Sequence, residues 1–252
     1  MNRIAFFTLA SLFAACSSSD DKPTAEDYDD TAQAIGSTVA TSGSGGDVGS
    51  MSDSVALSLG VMPFGLSLDL DGHVSGNRLG LDYTYTASCK DAAGAALATC
   101  DATTDQAQID VAWSGSLDTS NVDADVTRDG SWKLTGLQGD TATLSGDSSF
   151  SLDTQLTSIF RPGTTSSFSF DATASYDVQV STDDRKMVGG TATFDVSAHR
   201  KVTGTANDVD KSFDIDAEVT FSAASTAELV LDGSQHYTID LNTGVVVRVS
   251  AK

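Results

Sequence analysis

From about Leu66 onward, polar and apolar positions alternate with the two-residue period of a strand that has one wet and one dry face. In Phe168-Ser-Phe-Asp-Ala-Thr-Ala-Ser-Tyr-Asp-Val-Gln-Val180 every even position is apolar and every odd one polar. The same pattern runs through Val209-Asp-Lys-Ser-Phe-Asp-Ile-Asp-Ala-Glu-Val-Thr-Phe221, with Lys211 the exception on the apolar side. Weaker runs occur at Leu79–Tyr85, Ala107–Trp113, Trp132–Leu137, Ala142–Leu152, Ala192–Val202, Leu229–Leu231, Tyr237–Leu241 and Val245–Val249. Turn signals separate many of them: Asp129-Gly130, Gly139-Asp140, Pro162-Gly163, Gly189-Gly190, Asp232-Gly233 and Asn242-Thr-Gly244. Short turns join antiparallel partners, so the pattern predicts an antiparallel meander of about ten strands.

Ahead of the alternating region the period is helical. Thr24 with Asp27 predicts a capped helix at about 24–40, on which Tyr28, Ile35 and Val39 share a face. Met51, Val55, Leu59 and Met62 mark a second helix at about 50–60, after the break Thr41-Ser-Gly-Ser-Gly-Gly46. No Gly-Lys-Ser or Gly-Lys-Thr follows that glycine run, so it reads as a connector and not as a phosphate loop. Ten strands at about 4.8 Å make a sheet near 48 Å wide, and two helices of about 10 Å diameter cover less than half of it. The dry face must then be buried by the sheet itself. The fold class is therefore mainly β: a meander curled into an open or closed barrel with the helices in or across its mouth, or alternatively a β-sandwich. A membrane-spanning barrel would need an apolar outward band and two aromatic girdles, whereas the aromatics here are sparse and cluster on a few strands.

Charge narrows the partners. Asp and Glu total 35 against 14 Lys and Arg, for a net charge of −21, and only Glu26, Glu218 and Glu228 are glutamates. Such a surface repels phosphate backbones and argues against nucleic acid. It keeps an exposed β protein soluble and leaves cations or basic proteins as possible partners.

The first sixteen residues are Met1-Asn-Arg-Ile-Ala-Phe-Phe-Thr-Leu-Ala-Ser-Leu-Phe-Ala-Ala-Cys16, followed by Ser17-Ser-Ser-Asp-Asp21. A cationic start, a short apolar run and small residues before a cut have the build of an export signal. Ile4 to Ala15 is too short to span a bilayer core of roughly 30 Å. Ending in Cys16, with Leu12, Ala14 and Ala15 before it, the segment resembles a bacterial lipoprotein signal, although Phe13 stands where leucine is commonest. The resemblance implies a signal peptide at 1–15, lipid on Cys16, a lipidated tether at 16–23 and a single β-rich domain at 24–252. It also implies a membrane partner reached through the lipid, and Ser17 after the cysteine implies the outer membrane, on its periplasmic or surface face. With Cys16 acylated, Cys89 and Cys100 remain and are expected to pair as a disulfide in an oxidising compartment. A two-cysteine metal site would lack neighbouring histidine or cysteine partners.

Chemistry-bearing motifs are few. His73, His199 and His236 lie far apart, with no second ligand at local metal spacing. Asp69-Leu-Asp-Gly72 and Asp123-Ala-Asp-Val-Thr-Arg-Asp-Gly130 loosely resemble calcium loops but lack the alternating ligand set and closing glutamate. Asp210, Asp214 and Asp216 follow strand period and define a wet face. There is no Gly-x-Ser-x-Gly elbow, and Glu26 and Glu218 sit on a helical turn and a wet strand face. Trp113, Trp132, Phe168, Phe170, Tyr176, Phe213 and Phe221 read as core, or as the lining of a ligand cavity if the sheet encloses one. The open-barrel reading resembles, in architecture only, periplasmic lipoprotein carriers whose half-barrels hold acyl chains under a helical lid. The expected function is an envelope lipoprotein acting as a non-catalytic binding or structural module, without cofactor or metal. The alternatives are a carrier or sensor of a hydrophobic molecule, then an envelope hydrolase.

Overall fold

A computed structural model describes residues 22–40, 46–69, 72–78, 80–119, 121–158, 163–204, 208–223 and 225–249. The signal segment, Cys16 and most of the tether lie outside the described residues. Among those described, α1 (Ala25–Val39) and α2 (Asp47–Ser58) precede strands β1 (Ser67–Leu68), β2 (Val74–Arg78), β3 (Leu81–Lys90), β4 (Gln106–Asp118), β5 (Val122–Thr135) and β6 (Thr141–Thr157). The chain continues through β7 (Thr165–Ser181), β8 (Met187–Thr203), β9 (Val209–Phe221), β10 (Thr226–Leu231), β11 (Gln235–Asp240) and β12 (Val246–Arg248). All are antiparallel in one meander in strict chain order, and β1 and β12 are its two edges, so the sheet is open.

The alternation places its residues as the period requires. On β9, Phe213, Ile215, Ala217, Val219 and Phe221 are buried and the residues between them exposed. Sheet and helices share one core that includes Ile35, Met51, Trp132, Leu144 and Phe170, all fully buried. The α1 cap is the one the sequence predicts: the Asp27 N–H donates to Thr24 Oγ1 (3.3 Å) and the Thr24 N–H to Asp27 Oδ2 (2.7 Å).

How far the sheet curls follows from what the helices touch. Helix α1 packs on β10, β11 and β12, α2 packs on β3 and β4, and the helices touch each other. Laid flat, β3 and β11 would stand about 38 Å apart at 4.8 Å per strand. Two adjacent helices span only about 20 Å. The two wings of the sheet therefore close in upon the helix pair. Gly36 lets α1 sit against the β11–β12 turn, because a Cβ there would run into Val246 Cγ2 and the Gly244 carbonyl oxygen.

Among the described residues the strands form one sheet that is not closed, the open form of the expected meander and not the alternative sandwich. Other expectations are corrected. Strands β1 and β2 add to the ten runs read from the sequence. Asp129-Gly130 is not a turn: the whole stretch from Asp123 to Gly130 lies inside β5, paired on one side to β4 and on the other to β6. Its alternating aspartates form one strand face, not a calcium loop. Helix α2 begins at Asp47, earlier than the expected 50. The connector at 41–45 lies outside the described residues.

Candidate functional site

The register aligns the wet-face residues into rows across the sheet. One row runs Thr86, Asp110, Ser131, Asp147, Ser175 and Thr193 from β3 to β8. The next runs Thr84, Ala112, Asp129, Ser149, Thr173, Asp195 and Asp216, ending on β9. Aspartates thus stand mostly beside hydroxyls, which lessens like-charge repulsion between directly opposed side chains. Ser131 Oγ donates to Asp110 Oδ1 (2.5 Å), Ser197 Oγ donates to Asp214 Oδ1 (2.6 Å), and Ser175 donates to Asp147. Between these rows lies a shallow recess of about 700 Å³, which shares Ser149, Thr173 and Asp195 with a second of about 550 Å³. The recess is lined by carboxylates and by hydroxyls that both donate and accept, together with Ala112, Gly130 and Ala174. Of the serines in the two recesses, Ser131, Ser175 and Ser197 donate to carboxylates, and no imidazole lies among the lining residues to take a hydroxyl proton.

The cations are placed very differently. Arg78, Arg128, Arg200, Lys211 and Arg248 all fall at dry-face positions, and each meets an acid carried by a helix. Arg78 Nη1 lies 2.6 Å from Asp53 Oδ2, and Lys211 Nζ lies 2.7 Å from Asp27 Oδ2. Arg200 faces Glu26 (3.3 Å), Asp30 (3.9 Å) and Asp27 (4.0 Å), and Arg248 faces Asp29 (3.7 Å). Arg128, on the central strand β5, pairs with Asp47 in the first turn of α2, and both side chains are fully buried. Burial pushes Arg128 down to about 9 and raises the Asp47 carboxyl well above its ordinary value. Burial also raises Asp27, but hydrogen bonds from Lys211 and Thr24 outweigh it and leave the carboxyl below its ordinary value. Tyr28 Oη donates to Asp232 and Tyr237 Oη to Asp29, so hydroxyls complete the same seam.

The residues singled out from the sequence are dispersed. Cys89 and Cys100 form a disulfide across the loop between β3 and β4, with their Cα atoms 5.3 Å apart. Cys16 lies outside the described residues. His73 bonds Thr86 (3.0 Å), His199 pairs with Asp210 (2.7 Å), and His236 is exposed on β11, so the three do not meet. Among the described residues no three of His, Cys, Asp and Glu converge as metal ligands. Asp69 Oδ1 accepts from the His73 N–H, and Leu70 and Asp71 of the Asp69–Gly72 motif lie outside the described residues. Trp113, Trp132, Phe170, Tyr176, Phe213 and Phe221 are buried core, and Phe168 is half-buried. Sequence reasoning missed the Arg128–Asp47 pair, although strand parity places Arg128 in line with Trp132 and Leu134 on the dry side. No family model, curated protein or solved structure matches this chain.

Proposed function

We propose that this chain is an exported envelope lipoprotein, anchored through Cys16, whose β body serves as a non-catalytic binding or structural module. The observation that carries the reading is the ion-paired seam. The protein's own helices are pinned into the hollow of the sheet by Arg78, Arg128, Arg200, Lys211 and Arg248. The surface left for other molecules is the broad acidic wet face with its shallow recess. That surface suits hydrogen-bond donors and cationic partners, and disfavours nucleic acid and anionic head groups. Two or more acyl chains, at about 0.8 kcal/mol per buried methylene, would hold such a body stably on a membrane. Fractionation of cells expressing the full chain tests the anchor: wild type should sediment with membranes and Cys16→Ala should be released. Equal retention of both would overturn it.

A further inference from the structure

At the end of the sheet where α1 begins, strands β4 to β7 run on past the helices, which pack on β3, β4 and β10 to β12 and reach β5, β8 and β9 through ion pairs. Most dry-face positions there are apolar without being fully covered, with Thr154 and Ser166 the polar exceptions. Leu117 is 46% and Leu156 44% exposed, and Val122, Ala124, Leu152 and Phe168 are only half-buried. The register ties this shelf to the start of the described chain. Leu117, Ala124, Thr154, Phe168, Arg200 and Lys211 occupy one row from β4 to β9, and Lys211 Nζ donates to the Lys22 carbonyl oxygen at 2.8 Å. At about 4.8 Å per strand, Phe168 stands about 10 Å along the row from Lys211 and Leu117 about 24 Å. Residues 16 to 22, fully extended, reach at most about 24 Å. A lipid on Cys16 is therefore confined to the neighbourhood of this shelf.

We infer that the shelf formed by Leu117, Val122, Ala124, Leu152, Leu156 and Phe168 rests on the surface of the membrane that holds the anchor, so that the body stands on this end with its acidic face turned outward. The inference rests on the lipoprotein reading. The bilayer it fits is zwitterionic, because Asp118, Asp123, Asp125 and Asp153, exposed on the opposite face of the same strand ends, repel anionic head groups.

The test uses the mature lipidated chain reconstituted in phosphatidylethanolamine and phosphatidylcholine vesicles, with and without brominated acyl chains. The native Trp113 and Trp132 are 5% and 0% exposed and provide a fixed background. In Leu156→Trp, and separately in Leu117→Trp, brominated lipid should quench the added indole emission several-fold more than in Asp195→Trp, which places its indole on the wet face. Flotation reads the anchor independently. A chain that floats while the shelf indoles stay as bright as the wet-face one overturns the shelf alone. Quenching replaced by concentration-dependent cross-linking between copies overturns it in favour of self-association. A chain that carries no lipid and stays off the vesicles overturns both proposals.

Discussion

The Arg128–Asp47 pair offers the sharpest test of how this fold is held. Both side chains are buried, and the Arg128 guanidinium lies 5.6 Å from the centre of the Trp132 ring. Unit charges about 3 Å apart at an effective dielectric of 20 attract by about 5.5 kcal/mol. Taking each ion out of water costs several kcal/mol, so the intact pair is worth little in net terms. Removing one partner is another matter, since it strands a buried charge at a cost of about 3–5 kcal/mol. Asp47→Asn and Arg128→Met should each therefore destabilise by about that much in urea melts at neutral pH. The double variant should be much less destabilised than the sum of the singles, because no buried charge remains and only the unpartnered amide at position 47 adds about 1–3 kcal/mol. A pH series adds a sign. In Arg128→Met the lone Asp47 carboxyl keeps its raised value, so the folded state holds a proton that the unfolded state releases. Stability should then be full below the ordinary aspartate range near pH 4 and fall by about 1.4 kcal/mol per pH unit above it, until Asp47 ionises in the fold. A double variant as unstable as the sum of the singles would show that the residues act independently and refute the reasoning.

Three further outcomes are expected. Thiol titration of denatured, unreduced protein should find Cys89 and Cys100 blocked, and Cys89→Ala with Cys100→Ala should cost about 3 kcal/mol in a melt, as closure of a short loop predicts. Ile215→Asp, at a position 1% exposed, should cost several kcal/mol while Asp216→Ala on the wet face changes stability by about half a kcal/mol or less; equal effects would mean the β9 register is wrong. Gly36→Ala should destabilise by about 1–3 kcal/mol although alanine favours helices by about 1 kcal/mol, because the added methyl must displace Val246 and the Gly244 carbonyl; a more stable variant would remove the close approach of α1 to the β11–β12 turn.

The strands were legible because their signal is local. Alternation over thirteen residues at Val209–Phe221 leaves no other way to bury Phe213, Ile215, Val219 and Phe221 together, and the structure agrees position by position. The capping box at Thr24 and Asp27 is equally local. The errors came where local chemistry spoke louder than parity. Asp129-Gly130 has the composition of a turn, yet cross-strand pairing with β4 on one side and β6 on the other keeps it extended. The two-residue β1 and the five-residue β2 are too short for a period to emerge; β2 exists because β3 offers an edge to pair with, and β1 adds in turn to β2.

Lys211 shows what a fuller reading of parity would have found. A lysine on the dry side of an otherwise regular strand cannot remain unpaired in a core, so it calls for an acid from some other element. Applying the same rule to Arg128 in Ala124-Asp-Val-Thr-Arg128, and to Arg200 beside Ala198 and Val202, gives three buried or half-buried cations on the face the helices must cover. The helices answer with Glu26, Asp27 and Asp47, which a helix-only reading assigns to the favourable dipole of a first turn, and with Asp30 one turn further along α1. Each sequence signal is ambiguous alone, since a first-turn acid needs no partner and a strand cation can point outward at an edge. Together they fix which face of the sheet the helices occupy: the dry face is the one whose strand cations find helix acids, and Arg78, Arg128, Arg200, Lys211 and Arg248 all do so.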